Sequence, residues 1–245
     1  MELPFDHSFE ELSPTLSVCV TPEHKFGTDA FLLSHYAGIR RKDRAVDLGT
    51  GCGIVALLWF RQPALAPREA WCVDIQPQAI RQLEETVRRY ELEGRVHPVC
   101  ADLKELKGKV PFGCFDVVTC NPPYKAENSG IRNQQDSHTI ARHEVACNIQ
   151  DICCTAARLL QTGGRFCLCQ RPERLTDTLA AMQQAHLEPK RLRFVQKLGN
   201  TAPWLFLVEA RKDGRPGGLK VEAPLLIQDG SGEFSQELQQ IYRGK

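Results

Sequence analysis

The chain has 245 residues, of which 42% are hydrophobic and 25% charged, and its formal net charge is +1. This length allows one large domain or two small ones with a sizeable buried core. The near-zero charge provides no global attraction to nucleic acid, so any contact with a polyanion requires a local basic patch. No apolar run approaches the roughly 18 residues of a membrane span, which excludes membrane-spanning helices.

Eleven cysteines occur, an odd number without any C-x-x-C pair. A metal site needs clustered ligands, and a secreted disulfide framework usually accompanies a signal peptide, whereas the opening MELPFDHSFEELSP is acidic. The cysteines are therefore expected to be reduced and to act as small hydrophobic residues in a cytoplasmic protein. His138 and His143 have no Cys or acid cluster to complete a metal site, so no metal is expected.

The first two predicted strands are each followed by a helix. RAVDLG (44–49) precedes a glycine turn and the helix TGCGIVALLWF, after a short helical element at 27–38. EAWCVDI (69–75) precedes the helix PQAIRQLEETVRRYELEG, with Pro77 at a favourable first helical position. That helix has one apolar face, and its i,i+4 pairs Glu84/Arg88 and Glu85/Arg89 are expected to lie toward water.

Further strands are predicted at 96–102, 114–120 and 165–170, and the helix before the last of them is expected to stop at Gly163-Gly164. After the helix PERLTDTLAAMQQAHL, the segments KRLRFVQ and WLFLVEA have no helix between them, so this pair is expected to be antiparallel. The tail after Arg211 is rich in Gly and Pro, which predicts extended surface chain.

The alternation of strands and helices predicts an α/β fold with a doubly wound, Rossmann-like sheet of seven strands. The sheet is expected to be mostly parallel, with an antiparallel last strand. A single domain is expected over 1–245, with an N-terminal helical extension (1–43), a core (44–210) and a C-terminal tail (211–245).

The first strand ends in a glycine-rich sequence, VDLGTGCG, in which Asp47 precedes Gly49, Gly51 and Gly53. Ligands in this architecture bind at the carboxyl ends of the strands. The G-x-G-x-G spacing differs from the G-x-G-x-x-G of dinucleotide-binding loops. An acid this close would repel a pyrophosphate, but it suits a cofactor that carries an ammonium and a sulfonium group.

The next two strands also end in acids. Asp74 stands 25 residues after Gly49, where an acid accepts both hydroxyls of a ribose. Asp102 can accept from an adenine amine, with Leu103 near the ring and Ile75 in the same site. Each acid alone is equally consistent with a strand-end turn or a helix cap. Together with the glycines they indicate S-adenosylmethionine, and residues 44–195 resemble the class I methyltransferase superfamily.

The fourth strand ends in Asn121-Pro122-Pro123-Tyr124, which resembles the [DNS]-P-P-[YFW] signature of methyltransferases acting on planar NH2 groups. The side-chain carbonyl of Asn121 and the backbone carbonyl of Pro122 can accept both N–H bonds of such an amine, which aims its lone pair at the sulfonium methyl. The two prolines fix the backbone, and Tyr124 can stack on a base. The structural alternative is a proline-stopped strand with an exposed tyrosine. The motif does not distinguish adenine N6, cytosine N4, guanine N2 and a glutamine amide.

The segments KFGTDAFLL, IARHE, RPERL and PKRLRFV resemble the bacterial tRNA1(Val) (adenine(37)-N6)-methyltransferase family, over about residues 22–243. The resemblance implies methylation of an adenosine N6 in tRNA, at adenosine 37 beside the anticodon. It also implies that Thr28, with Asp29, closes over the methionine end of the cofactor. The alternative role of both residues is to cap the helix at 27–38.

The same resemblance implies no separate RNA-binding domain, so tRNA is expected to contact the rim of a monomeric enzyme. The basic candidates, each equally consistent with a solvated surface, are Arg132, Arg142, His143, Arg171, Arg174, Lys190, Arg191 and Arg193. The polar segment 125–148 is expected to form a lid that orders on substrate binding.

Three rival functions remain open at this stage. A glutamine N5-methyltransferase acting on a release factor usually carries an N-terminal helical substrate domain, whereas only 43 residues precede Arg44 here. A guanine N2-methyltransferase acting on ribosomal RNA is the second rival. A non-catalytic nucleic-acid-binding or scaffold protein is the third, and it would be expected to have eroded glycines or a broken Asn-Pro-Pro-Tyr motif.

Overall fold

The computed structural model describes residues 6–22, 26–122 and 148–244. The strands are β1 (Ser8–Ser13), β2 (Leu16–Val20), β3 (Arg44–Leu48), β4 (Glu69–Asp74), β5 (Val96–Cys100), β6 (Phe115–Cys120), β7 (Leu160–Gln170), β8 (Leu187–Gln196), β9 (Pro203–Lys212), β10 (Lys220–Val221) and β11 (Leu225–Leu226). The helices are α1 (Thr28–Tyr36), α2 (Ile54–Phe60), α3 (Pro77–Arg89), α4 (Ile149–Leu159), α5 (Leu175–Gln184) and α6 (Gln236–Arg243).

Among the described residues, a nine-stranded sheet forms the centre, in the order β10-β8-β9-β7-β6-β3-β4-β5, with β11 also paired to β8. Strands β3 to β7 are parallel to their neighbours among themselves, and β9 is antiparallel to both β7 and β8. The predicted doubly wound, mostly parallel α/β sheet with an antiparallel strand is therefore confirmed, but the predicted number of seven strands is wrong, because the tail adds the two short strands β10 and β11. The carboxyl ends of β3 to β7 meet at one edge.

Helices cover both faces of the sheet because successive side chains of a strand point to opposite faces. Ala45 and Val117 belong to the apolar layer that includes α1, α2 and α3. Val46 and Val118 belong to the layer that includes α4 and α5. The alternation places Asp47 of β3 and Thr119 of β6 on the α1 side, which matters for the site below.

The cysteines pack as the composition predicts. Seven of the ten cysteines among the described residues are buried. Burial raises the pKa of Cys52 to about 12 and that of Cys167 to about 12, so these thiols stay protonated and apolar at neutral pH.

The prediction of a helical N-terminal extension is partly wrong, because β1 and β2 form an antiparallel hairpin before α1. Leu16, Val18 and Val20 of β2 are buried, and the Cys19 N–H donates to Thr86 Oγ1 of α3 at 3.0 Å. The hairpin thus covers a second side of α3, and its burial depends on contacts remote in sequence.

The same hairpin changes the charge pairing on α3. Glu85 forms its ion pair with Arg88, whereas the Arg89 guanidinium lies over the Phe9 ring of β1, 4.2 Å from the centroid. The predicted pair between Glu85 and Arg89 is therefore wrong, because the Arg89 side chain packs on the aromatic ring of the hairpin instead.

The helix before β7 ends at Leu159, four residues before the predicted glycine stop at Gly163. Gly163 and Gly164 lie inside β7, where the pairing with β6 shifts register. A Cβ on Gly164 would approach the Phe115 carbonyl oxygen to 3.0 Å. Gly164 therefore allows close approach of two strands, and Gly163 adopts a left-handed φ of +78° within β7, so neither glycine ends a helix.

The tail was predicted to be extended surface chain, but it forms β10, β11 and α6. Leu225, Leu238 and Ile241 are buried, and the Arg61 guanidinium donates to the last carbonyls of α6, at Ile241 (2.7 Å) and Tyr242 (3.0 Å). The Gly and Pro residues mark the turns between these elements. Within residues 6–22, 26–122 and 148–244, no helix is both long and apolar enough to cross a membrane.

We expect Leu238→Ala to lower the free energy of unfolding by about 2–5 kcal/mol, because it opens a cavity under α6. Chemical denaturation monitored by circular dichroism measures the change. The matched control is Gln240→Ala on the exposed side of the same helix, with an expected change within about 0.5 kcal/mol. Equal small effects in the two variants would contradict the docking of α6 on the core.

Candidate active site

A cleft of about 280 Å³ opens at the carboxyl ends of β3, β4, β5 and β6. Its wall is formed by Gly49, Gly51, Val73, Asp74, Ile75, Gln76, Ala101, Asp102, Leu103, Cys120, Asn121, Pro122 and Ile152. The cleft therefore brings together most of the residues that the sequence predicts as a site.

The glycine loop forms one wall with its backbone. Gly49 and Gly51 have φ of +69° and +56°, in the left-handed region that favours glycine. A Cβ at either position would meet no atom within 4 Å. The Gly49 N–H donates to the Val73 carbonyl at 2.8 Å, so the loop is held against β4 and leaves space for a ligand against its backbone.

Asp74 holds the loop from the end of β4. Its Oδ2 accepts from the Gly51 N–H at 2.8 Å, and its Oδ1 accepts from the Gln76 N–H at 2.9 Å. Each carboxylate oxygen has a second lone pair. Asp74 can therefore bind the two hydroxyls of a ribose while it supports the loop.

Asp102 and two apolar side chains form the far wall. Asp102 Oδ1 accepts from the Lys104 N–H at 2.9 Å, and its Oδ2 lies 3.8 Å from the Lys104 ammonium. Ile75 is 43% exposed although it is a large apolar residue, and Leu103 lies beside the core. This wall suits a flat, mostly apolar ring that carries an amino group.

Asp47 does not line the cleft. It is 1% exposed, and its two oxygens accept from the hydroxyls of Thr50 (2.7 Å) and Thr119 (2.6 Å). Burial raises the pKa of Asp47 to about 6, although both threonine hydrogen bonds act to lower it. The structure therefore gives Asp47 the role of joining β3, the glycine loop and β6 beneath the cleft.

Gly53 and Thr28 also lie away from the cleft wall. Gly53 is the N-cap of α2 with φ of +86°, and a Cβ there would collide with Leu83 Cδ1. Gly53 thus allows close packing of α2 on α3. The Thr28 hydroxyl shares a 2.9 Å hydrogen bond with the Tyr242 hydroxyl of α6.

Asn121 and Pro122 lie where β6 leaves the sheet. Asn121 Nδ2 donates to Asp29 Oδ2 at 3.0 Å, and the Cys169 thiol donates to Asn121 Oδ1 at 3.0 Å. Pro122 is buried in the cleft wall. The predicted catalytic residues Pro123 and Tyr124, the predicted lid, and Arg132, His138, Arg142 and His143 lie outside the described residues.

The sequence profile of the methyltransferase small domain family matches residues 23–189, more than half of the chain. The chain belongs to the methyltransferase small domain family. This match confirms the prediction of a methyltransferase made from the glycine loop and Asn-Pro-Pro-Tyr.

Relatives of this methyltransferase small domain agree with the family that its motifs resemble. A Bacteroides thetaiotaomicron protein named tRNA1(Val) (adenine(37)-N6)-methyltransferase is 28% identical over 220 residues, which covers 89% of each chain. A Porphyromonas gingivalis protein of the same name is 26% identical over 227 residues, covering 87% of this chain and 85% of its own.

Among solved structures, a predicted O-methyltransferase from Agrobacterium tumefaciens superposes with a TM-score of 0.69 at 20% identity. The match covers 88% of this chain and 95% of that one. This likeness confirms the class I methyltransferase fold.

The basic residues predicted at the rim separate into two groups in the methyltransferase small domain. Lys190, Arg191 and Arg193 all contact the tail. Arg191 pairs with Glu222 of the tail and also with Glu209 of β9, Arg193 pairs with Glu237, and Lys190 donates to two tail carbonyls. Arg171 and Arg174 remain near the carboxyl ends of the strands. The Arg171 guanidinium lies over the Trp204 ring, 5.5 Å from the centroid.

Sequence reasoning missed several residues of the site. Ile152 of α4 lines the cleft, and its place on the apolar face of a predicted helix was an available signal. Asp29 was considered for the cofactor but contacts Asn121. Cys169 had no local signal, since its contact with Asn121 arises only when β7 pairs with β6.

We expect Gly53→Ala to lower the free energy of unfolding by roughly 2–4 kcal/mol, because the new Cβ combines a left-handed backbone with a collision against Leu83. The matched variant Gly51→Ala has only the backbone cost, about 1–2 kcal/mol, but puts a methyl group into the cleft. Denaturation curves and cofactor titrations separate the two effects. An equal loss of stability in both variants would contradict the packing role of Gly53.

The buried Asp47 predicts a pH dependence of stability. Its folded-state pKa, about 6, lies above the ordinary value of 3.8, so its favourable contribution is present below pH 4 and is lost as the pH rises through 6. The stability of the wild type relative to Asp47→Asn should fall by roughly 2 kcal/mol between pH 4 and pH 7.5. Urea titrations across this range measure the difference. A constant difference would contradict the raised pKa.

Proposed function

We propose that this methyltransferase small domain transfers the methyl group of S-adenosylmethionine to the exocyclic N6 of an adenosine in tRNA, with adenosine 37 as the expected target. The tRNA part of the proposal is supported by the names of relatives that align over 87–89% of this chain. The chemical part is supported by the composition of the cleft. We also propose a monomeric, cytoplasmic enzyme that needs no metal.

The cleft residues fit S-adenosylmethionine. Gly49 and Gly51 have no Cβ to obstruct the methionyl end, and Asp74 keeps free lone pairs for two ribose hydroxyls. Ile75 and Leu103 form apolar walls for adenine, and Asp102 provides an acceptor for its amine. When bound, the cofactor supplies an electrophilic methyl group on a sulfonium.

The acceptor end of the cleft suits an exocyclic amine. Such an amine is a weak nucleophile because its lone pair is delocalised into the ring. Asn121 Oδ1 and the Pro122 carbonyl can accept hydrogen bonds from its two N–H groups. These hydrogen bonds localise the lone pair on the nitrogen and direct it toward the methyl group. Proline has a fixed φ, and the proline that follows in the sequence restricts the ψ of Pro122 to extended values, so the direction of the Pro122 carbonyl is restricted.

One observation carries the chemical proposal: Asn121 and Pro122 share a single cleft with Asp74 and the glycine loop. A proline-stopped strand without function would not need to end beside a nucleoside-binding edge. Orientation of the amine in this cleft is therefore expected to supply most of the rate, since positioned reactants gain several kcal/mol over free ones. No side chain has to remove the amine proton before the methyl group is transferred.

The function is tested by incubating the purified protein with labelled S-adenosylmethionine and three separate substrates: unmodified bulk tRNA, ribosomal RNA and release factor. Digestion to nucleosides or peptides then locates the label. The proposal predicts N6-methyladenosine from tRNA. Label in N2-methylguanosine or in glutamine would overturn the adenosine assignment, and no S-adenosylmethionine binding would overturn the enzyme itself.

Two substitutions should separate the two halves of the cleft. We expect Asn121→Ala to lower kcat by about 10²-fold or more, because the amine loses its orienting acceptor, while affinity for S-adenosylmethionine is retained. We expect Asp74→Ala to weaken cofactor binding by roughly 10- to 100-fold, because hydrogen bonds to a charged group are lost. Calorimetric titration and single-turnover assays measure both. Parallel losses of affinity and turnover in Asn121→Ala would contradict this division.

A further inference from the structure

The Asn121 amide lies between two partners with opposite hydrogen-bonding character. Asp29 Oδ2 accepts from Asn121 Nδ2 at 3.0 Å, and the Cys169 thiol donates to Asn121 Oδ1 at 3.0 Å. An ionised carboxylate can only accept a hydrogen bond, so it can face only the NH2 end of the amide. The two ends of an amide have nearly the same shape, and the charge of Asp29 therefore selects between them.

That selection decides whether Asn121 can do its chemistry. If Oδ1 points to the acceptor amine, it accepts a hydrogen bond from an N–H of that amine. If the amide is flipped, its NH2 group faces the N–H of the amine, and two donors cannot form a hydrogen bond. The Asp29 charge also polarises the amide and makes Oδ1 a stronger acceptor, as in other chains of hydrogen bonds. A thiol is a weak donor, so the contact with Cys169 competes only weakly with a hydrogen bond from the acceptor amine to Oδ1.

The local backbone makes room for this contact. Gly27 precedes α1 in an extended conformation, with φ of −111°, and a Cβ built there would lie 2.6 Å from Asp29 Oδ1. Because the φ is accessible to every residue, the turn itself does not need glycine. The absence of a side chain at Gly27 instead leaves space for the Asp29 carboxylate.

The tail fixes the start of α1 from the other side. The Tyr242 hydroxyl shares a 2.9 Å hydrogen bond with Thr28 Oγ1, and the Tyr242 ring packs against Phe31 with centroids 4.7 Å apart. Arg61 holds the carbonyl end of α6 at Tyr242, and Arg193 pairs with Glu237 at its start. The residue next to Asp29 is thus anchored to the C-terminal helix.

We propose that Asp29 is a positioning residue, which fixes the Asn121 amide with its oxygen toward the acceptor amine, and that Gly27 and the α6 helix hold Asp29 in place. The inference rests on the proposed transfer to an exocyclic amine. It gives the first turn of α1 a role beyond helix capping and the tail a role beyond stability.

Two variants test the proposal by different routes. Asp29→Asn keeps the size of the side chain but can face either end of the Asn121 amide. Gly27→Ala keeps the carboxylate but displaces it, because the new Cβ occupies its space. Both should lower kcat by about 10²-fold and leave the Kd for S-adenosylmethionine within about twofold. The control is Gly230→Ala, where a Cβ would meet no atom within 4 Å, with unchanged kinetics expected.

A second readout does not depend on turnover. In protein labelled with ¹⁵N-asparagine, the side-chain NH2 signal of Asn121 is assigned by its loss in Asn121→Ala. A proton bonded to a carboxylate resonates downfield, so both variants should move this signal upfield, and Gly230→Ala should not. The readout stands even if wild-type protein methylates no tRNA, which separates this inference from the proposed function.

The outcomes that would overturn the proposal are specific. A rise in the cofactor Kd that matches the fall in kcat/KM would make Asp29 a cofactor ligand. An unchanged Asn121 signal in both variants would show that Asp29 does not set the amide. If Asp29→Asn showed no thermal unfolding transition and was therefore not folded, the test would rest on Gly27→Ala alone. That variant is expected to fold, since Gly27 is exposed and its backbone conformation accepts a methyl group.

Discussion

The parallel register of the central strands is the constraint on which the site depends. Leu168, Cys120, Leu48 and Val73 pair across β7, β6, β3 and β4 as one row of the sheet. Neighbouring strands lie about 4.8 Å apart, so the residues that come next along the four segments leave this row side by side. These residues are Cys169, Asn121, Gly49 and Asp74. Hydrogen bonding of the backbone thus places the proposed acceptor end and the proposed cofactor end of the cleft side by side.

Helix α1 closes this row from one face and is fixed at both of its ends. At its C-terminal end, Arg165 donates to the carbonyls of Ala37 (2.7 Å) and Gly38 (3.2 Å) and pairs with Asp43. At its N-terminal end, Asp29 meets Asn121. A helix anchored to β7 at one end can hold a carboxylate against the end of β6 at the other, which connects the stability of the sheet to the geometry of the acceptor.

Much of the fold and of the cleft was predictable from local pattern. Gly49, Gly51, Asp74 and Asn121 line the cleft as expected, because each lies at, or within three residues of, the end of a strand whose boundary is visible in the sequence. Asp47 lies one residue before the strand end, so the alternation of side chains turns it beneath the cleft. The position of this acid just before the glycines did indicate a functional loop, but Asp47 supports the loop from below through Thr50 and Thr119.

The parts that escaped prediction depend on contacts between distant segments. The β1–β2 hairpin and α6 are short, and neither could be stable without the surfaces of α3 and α1 that they cover. Charge patterns misled for the same reason: Arg191 and Arg193 suggested an RNA surface, but the tail brings Glu222 and Glu237 to them. A local stretch of sequence contains each arginine but not the distant glutamate that pairs with it.

A crystal structure of the protein with S-adenosylmethionine tests the central claim most directly. The account predicts ribose hydroxyls on Asp74, adenine between Ile75 and Leu103, and Asn121 Oδ1 oriented toward the methyl group. Between the methyl and Asn121 there should be space for a planar nitrogen about 3–3.5 Å from the methyl carbon. A methyl group directed away from Asn121, or a cofactor bound outside this cleft, would contradict the account.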